Sequence, residues 1–238
     1  MLGLSNSRNL GLDSCSGKYV LFVNGSDKLK NDMVETLYKM ILNYPVDISM
    51  CSISKSESSF NSSNTIITLD SEDALRQLLL NNTFQNTICG KLFKKDLFKS
   101  LKTFNDADIL SRLIELSKKI AYTSNPLYLC NSLEDFSNSS LINRDIRIKK
   151  LYPNLDIYCE YDILKNIQNE FFYSFCNNVP LINADNMYNM FIQIVKEKEY
   201  KIIPYLSTIR KAHMYLLYNS FSNYKRLCPV LPELDFDK

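Results

Sequence analysis

The chain has 238 residues, of which 45% are hydrophobic and 23% are charged, and its formal net charge is +2. This composition is that of a globular protein large enough for one domain, or for one domain with a smaller helical part. The near-neutral charge gives no support to nucleic acid binding. Seven scattered cysteines and a single histidine predict neither a zinc site nor a disulfide framework, so we expect reduced thiols in a cytoplasmic protein.

The first thirty residues contain a turn, a helix, a strand and a polar cluster. Gly17 follows a helix-compatible run and is expected to end that helix in the left-handed conformation. The run from 18 to 23 predicts a buried strand. Asn24-Gly25-Ser26-Asp27 follows at its carboxyl end, where open α/β sheets bind ligands. The Asn-Gly pair is also a strong tight-turn signal, and we favour the turn over a ligand role for it.

The rest of the chain predicts an α/β part followed by helices. Helical spacing predicts one helix near 32–42, with its apolar face at Met33, Leu37, Met40 and Ile41, and a second helix up to residue 80, capped by Asp70 or Ser71. The remaining predicted elements are strands at 46–53, 65–69, 120–122 and 127–130, and helices at 95–101, 106–117, 157–176, 183–198 and 205–224. We therefore expect two domains, at 1–135 and 136–238.

The opening segment resembles the family 2 glycosyltransferases. The consensus sequence of that family in this segment is GLSxARNxGLDxAxGxYxxFVDSDDxL. The chain matches it in register at Gly3-Leu4-Ser5, Ser7-Arg8-Asn9, Gly11-Leu12-Asp13, Gly17, Tyr19, Phe22-Val23, Asp27 and Leu29. The resemblance continues through Cys89-Gly90-Lys91-Leu92-Phe93 to Pro126-Leu127-Tyr128. It implies a partial GT-A (Rossmann-like) mixed sheet with flanking helices, followed by an α-helical C-terminal region.

Three departures from the family pattern concern the donor. Family members open with strands that carry the nucleotide, and the match here begins after them, so we expect an N-terminally truncated domain. The metal motif Asp-Ser-Asp-Asp stands here as Asn24, Gly25, Ser26 and Asp27, which keeps only the last carboxylate. Mg²⁺ and Mn²⁺ prefer carboxylate ligands, so the implied divalent metal site is weakened. The basic residue expected after the Leu-Tyr strand is also absent from 126–133.

The resemblance also implies roles for individual residues. Arg8, Asn9, Asn24 and Asp27 would bind the nucleotide sugar, with Asp27 as the residual metal contact. Asp106, in the pair Asn105-Asp106, corresponds to the aspartate that takes the proton from the attacking acceptor hydroxyl. Asp106 also fits a helix N-terminus, where acidic residues are favoured, and both roles remain open.

The implied function is transfer of a sugar from a nucleotide-sugar donor to a polysaccharide or cell-surface glycan, impaired by the missing N-terminal half. One alternative is a non-catalytic binding or scaffold relic, and another is a truncated product that folds poorly. The partner hypotheses are a separately encoded N-terminal fragment, a homo-oligomer and peripheral contact with the inner face of the membrane. We prefer a simpler alternative to membrane contact, in which the C-terminal helices form a packed subdomain.

Overall fold

A computed structural model describes residues 4–55, 65–80, 83–101, 108–131 and 138–234. Two compact units divide the chain, residues 1–136 and 137–238. The first contains a mixed sheet with flanking helices, and the second is helical. The expected α/β class and the helical C-terminal region are thereby confirmed. No helix in the described ranges has the length and apolarity needed to cross a bilayer.

The described residues of the first unit form four α-helices and six strands. The helices are α1 (Leu4–Ser14), α2 (Met33–Asn43), α3 (Ser71–Leu80) and α4 (Ile109–Leu116), with a 3₁₀ helix at Lys95–Ser100. The strands are β1 (Tyr19–Leu21), β2 (Lys28–Leu29), β3 (Ile48–Ser54), β4 (Ile66–Leu69), β5 (Lys91–Lys94) and β6 (Ile120–Leu129).

The strand order is β1-β5-β3-β6-β2, and β4 pairs with the first half of β6. β3 and β6 are parallel, whereas β5 is antiparallel to both β1 and β3. Strands β1, β3 and β6 therefore point the same way, and their carboxyl ends lie at one edge of the sheet. This edge is where open α/β sheets place their ligands.

α2 packs its apolar face on this sheet, as its spacing predicts. Met33, Leu37, Met40 and Ile41 are all buried against residues of β3, β5 and β6. The Ser49 hydroxyl donates a hydrogen bond to the Leu37 carbonyl at 2.8 Å, which fixes the helix to β3. The opposite face exposes the apolar side chains of Val34, Tyr38 and Leu42.

Several local predictions differ from the structure. α1 ends at Ser14, and Gly17 does not adopt a positive φ, so the predicted glycine stop is wrong. The two strands predicted at 120–122 and 127–130 are one strand, β6, whose register with β3 shifts near Cys51 and Ser52. The predicted helix at 205–224 is two helices, separated at Ser220. The Asp70 cap is confirmed, because the Asp73 amide donates to its carboxylate at 2.8 Å.

The second unit contains α5 (Asn138–Leu151), α6 (Asp156–Asn177), α7 (Ala184–Ile202), α8 (Thr208–Asn219) and α9 (Phe221–Leu227). A buried ionic cluster joins α5 to α6: Arg144 contacts both Asp145 and Asp162, and Lys165 pairs with Asp162 at 3.1 Å. The apolar face of α8 is buried inside this unit. His213 there lies between the Tyr224 hydroxyl at 2.9 Å and the Pro232 carbonyl at 3.0 Å.

Candidate functional site

The polar cluster after β1 forms the tight turn that its Asn-Gly pair indicates. The Asp27 amide donates to the Asn24 carbonyl at 3.0 Å and closes the turn. Since β1 ends at Leu21, the turn lies just beyond the carboxyl end of the strand. Asn24 and Asp27 therefore lie at the carboxyl edge of the sheet, which is the edge where open α/β sheets bind ligands.

Both carboxylate oxygens of Asp27 hold the end of β6. The Tyr128 hydroxyl donates to Oδ2 at 2.6 Å, and the Asn131 backbone amide donates to Oδ1 at 3.0 Å. The Asn131 side-chain amide also donates to the Ser26 carbonyl. The turn after β1 is thus tied to a strand about one hundred residues away in the sequence, and Asp27 is the centre of this connection.

Tyr128 connects the two ends of the turn. Its hydroxyl donates to Asp27 and accepts a hydrogen bond from the Asn24 amide at 3.2 Å, while its side chain is fully buried. Burial raises the pKa of Tyr128 above its ordinary value, and the hydrogen bond donated to Asp27 raises it further. The phenol therefore remains a protonated donor at neutral pH.

Arg8 brings a positive charge to this turn. It lies on α1, and its Nη2 donates to Asn24 Oδ1 at 3.3 Å. Asn9 follows it on the same helix, and both side chains are half-buried. The structure thus brings together three of the predicted residues, Arg8, Asn24 and Asp27. Asp106 lies outside the described residues.

The surroundings of Asp27 do not fit a divalent metal centre. Within the described ranges, no three His, Cys, Asp or Glu side chains converge as metal ligands. A cation at ~2.1 Å from Asn24 Oδ1 would lie no more than about 5.4 Å from the Arg8 guanidinium nitrogen. The repulsion between a divalent cation and the guanidinium is then at least about 1.5 kcal/mol at an effective dielectric constant of ~80, and at least about 6 kcal/mol at ~20. The half-exposed Asp27 carboxylate, which already accepts two hydrogen bonds, offsets this repulsion poorly.

Sequence reasoning did not identify Tyr128 and Asn131 as residues of this site. Tyr128 belongs to the segment that resembles the family, and Asn131 belongs to the segment 126–133 that lacks a basic residue, but neither pattern predicts a role in this site. A signal was nevertheless present, because a tyrosine on a buried strand needs a partner for its hydroxyl. That signal does not name the partner, which lies 101 residues earlier in the chain.

The chain is similar to proteins of one known family. The family model described as glycosyl transferase family 2 matches residues 1–102. Over 143 residues the chain is 33% identical to glycosyltransferase GlyA of Streptococcus pneumoniae, which covers 53% of this chain and 20% of that protein. Over 146 residues it is 24% identical to glycosyltransferase GlyG of the same organism, covering 53% and 48%. The chain thus spans at most about half the length of these curated relatives.

Solved structures of TarS from S. aureus share the fold. The complex of TarS 1–349 with UDP-GlcNAc matches with a TM-score of 0.56 and 13% identity, covering 96% of this chain and 71% of TarS 1–349. The complex with UDP gives a TM-score of 0.57 and 12% identity, covering 96% and 70%. At this identity the likeness shows the fold, and with the family match it confirms the resemblance seen in the sequence.

Proposed function

We propose that this chain, a family 2 glycosyltransferase by its first 102 residues and by its fold, binds a nucleotide sugar at the turn after β1 and transfers the sugar to a polysaccharide or cell-surface glycan. The observation that carries this proposal is the contact between Arg8 and Asn24 at the carboxyl edge of the sheet. The guanidinium lies at a turn that Asp27 and Tyr128 hold in place, and a guanidinium group matches the geometry of phosphate oxygens.

The proposed reaction is a displacement at the anomeric carbon of the donor sugar. The acceptor hydroxyl oxygen forms a bond to that carbon, the bond from the carbon to the diphosphate oxygen breaks, and its electron pair leaves with the nucleoside diphosphate. A base takes the hydroxyl proton, and we assign this role to Asp106 from the family resemblance. Positive charge near the leaving diphosphate lowers the barrier because negative charge grows there during the reaction.

Calorimetric titration with UDP-GlcNAc tests donor binding, since a protein of the same fold has been solved with this ligand. We expect saturable binding that Arg8→Gln weakens about 10- to 100-fold. The matched control is Arg76→Gln, which removes a half-exposed arginine paired with Asp73 on α3 of the same unit. Equal loss in both variants, or full affinity in Arg8→Gln, would remove Arg8 from the site.

The second candidate is a non-catalytic binding or scaffold module derived from such an enzyme. It is supported by Asp27, whose two oxygens are engaged in holding β6. This candidate predicts no heat with UDP-, GDP- or dTDP-sugars, with or without Mn²⁺, from a chain that unfolds cooperatively. A chain that binds no donor and also lacks cooperative unfolding would instead match the third alternative, a product that folds poorly.

We also propose that a separately encoded N-terminal fragment adds a strand beside β1. Among the described strands, β1 pairs with β5 on one side and lies at the end of the strand order. The exposed Tyr38 of α2 stacks edge-on against Tyr19 of β1, with ring centroids 5.6 Å apart, so apolar surface continues from the strand edge onto the helix. Co-expression tests this proposal, because the two polypeptides should co-purify. A homodimer would identify a second copy as the occupant instead.

A further inference from the structure

A cavity lies among three helices of the second unit. Its volume is about 410 Å³, and side chains of α5, α6 and α7 line it. The apolar part of the lining consists of Ile146 of α5, Ile163 of α6, and Met190 and Ile194 of α7. Small-molecule sites commonly have volumes of ~300 to 1,000 Å³ and a mostly apolar lining. The cavity therefore has the size and the apolar surface of a ligand site.

Two of the charged residues in the lining are already neutralised within the protein. Lys149 pairs with Glu160 and, at 2.9 Å, with Asp156. Lys198 pairs with the same two carboxylates, at 2.8 Å from Asp156 and 3.9 Å from Glu160. These four side chains form an ion-pair cluster in which ammonium and carboxylate charges are equal in number. A charged ligand therefore gains no net attraction from this cluster.

The other polar residues of the lining are exposed and also balance in charge. Lys150 of α5 and Glu197 of α7 carry opposite charges, and Glu197 accepts a hydrogen bond from Gln193 Nε2 at 3.2 Å. This exposed rim offers both donors and acceptors to a polar group. A ligand with a net charge would lose hydration there without meeting a net counter-charge. The lining as a whole therefore favours a polar group that is uncharged.

From this lining we infer that the cavity binds an uncharged amphiphile, a molecule with an aliphatic chain and a hydroxyl head group. The chain packs against the three isoleucines and Met190, and the hydroxyl lies at the exposed rim. A cavity of ~150 Å³ holds benzene, so a chain of about eight carbons with its hydroxyl fits the volume available here. The inference goes beyond the proposed function, because it assigns a second ligand to the helical unit and does not depend on donor binding.

Calorimetric titration of the full chain with 1-octanol tests the inference. Octanoate and octylammonium are the matched probes, because they keep the chain length and replace the hydroxyl with a charge. We expect saturable binding of 1-octanol and at least ~10-fold weaker binding of both charged probes. 1-Hexanol is shorter by two methylene groups and should bind about 10- to 15-fold more weakly, since each buried methylene changes affinity roughly four-fold.

Isoleucine δ1-methyl NMR spectra show where 1-octanol binds. The signals of the cavity residues Ile146, Ile163 and Ile194 should shift, whereas those of Ile48 and Ile120, buried in the sheet of the first unit, should not. Met190→Glu places a carboxylate in the apolar lining and should weaken 1-octanol binding at least ~10-fold. Met190→Leu keeps an apolar side chain of similar volume and should bind within about two-fold of the parent chain. The same spectra verify that both variants keep the parent fold.

Each possible failure has a distinct meaning. Absence of 1-octanol binding overturns the inference, and so does binding that Met190→Glu leaves unchanged. Shifts at Ile48 and Ile120 as large as those in the cavity would mean general adsorption to apolar surface and would also overturn it. Equal or tighter binding of either charged probe overturns the assignment to an uncharged ligand. All of these outcomes leave the proposed function standing, since that function is tested by UDP-GlcNAc binding.

Discussion

Replacing Tyr128 with phenylalanine should destabilise the first unit by about 2 kcal/mol. The substitution removes the hydroxyl that donates to Asp27 at 2.6 Å and accepts from the Asn24 amide at 3.2 Å. A hydrogen bond to a charged group contributes ~1.5 to 3 kcal/mol. Asp27 and Asn24 are both half-exposed, so water replaces part of what they lose, and the expected value lies in the lower half of that range.

The free energy of unfolding should be measured for the first unit by itself. Hydrogen exchange of the β3 and β6 amides, followed along a urea titration, reports on that unit separately from the helical one. A loss of about 2 kcal/mol corresponds to roughly 30-fold faster exchange of the most protected amides. The matched control is Tyr44→Phe, which makes the same chemical change at an exposed tyrosine of the same unit and should cost less than ~0.5 kcal/mol.

A double-mutant cycle tests the assigned partner. Tyr128→Phe and Asp27→Ala remove the two ends of one hydrogen bond, so their effects should couple by about 1 kcal/mol or more. The reasoning is refuted if Tyr128→Phe costs no more than Tyr44→Phe, or if the two substitutions are additive. Additivity would mean that the hydroxyl and the carboxylate stabilise the unit independently.

Two further substitutions test backbone strain and a buried charge. Gly90→Ala should destabilise the first unit by about 1 to 3 kcal/mol in the same exchange measurement. The reason is that Gly90 has a φ of +70° and that a Cβ there would lie 3.1 Å from the Ile53 side chain. Gly25→Ala is the control and should cost less, because a Cβ at Gly25 meets nothing within 4 Å. In the helical unit, burial holds the pKa of Asp145 well above its ordinary value despite the Arg144 guanidinium. Because the folded pKa is raised, this contribution is complete below the ordinary carboxyl pKa and is lost as pH rises through the folded pKa. The melting temperature should therefore fall less steeply with rising pH in Asp145→Asn than in the parent chain. Asp185→Asn, at an exposed position, should leave the slope unchanged. Equal slopes in the parent chain and both variants would contradict the assignment.

Local sequence patterns predicted those helices and strands whose tertiary surroundings agree with the secondary-structure propensity of their residues. α2 shows its buried face directly as helical spacing, and α3 carries its start in the Asp70 cap. β6 was divided in two because residues 123–126, Thr-Ser-Asn-Pro, have the composition of a turn. The strand continues there because its two halves pair with different strands, β4 and β2, and such pairing has no local signature.

The candidate site also depends on contacts between distant residues, which local sequence patterns do not reveal. The family resemblance identified Arg8, Asn24 and Asp27, and the structure brings them to one turn. The role of Tyr128 depends on a contact between residues 27 and 128, which only the sheet topology creates. The end of α1 at Ser14, three residues before Gly17, was likewise missed, because a glycine that permits a left-handed stop does not require one.

The double anchoring of Asp27 changes what its presence reveals about descent. A carboxylate that connects two distant segments is maintained by selection for folding alone, even in a lineage that has lost catalytic activity. Its survival in this chain and in any relative that also keeps the Tyr128 hydroxyl is therefore uninformative about turnover. The residue at position 24 is a better marker for sorting such homologues, since its side chain faces the arginine and contributes little to the anchor.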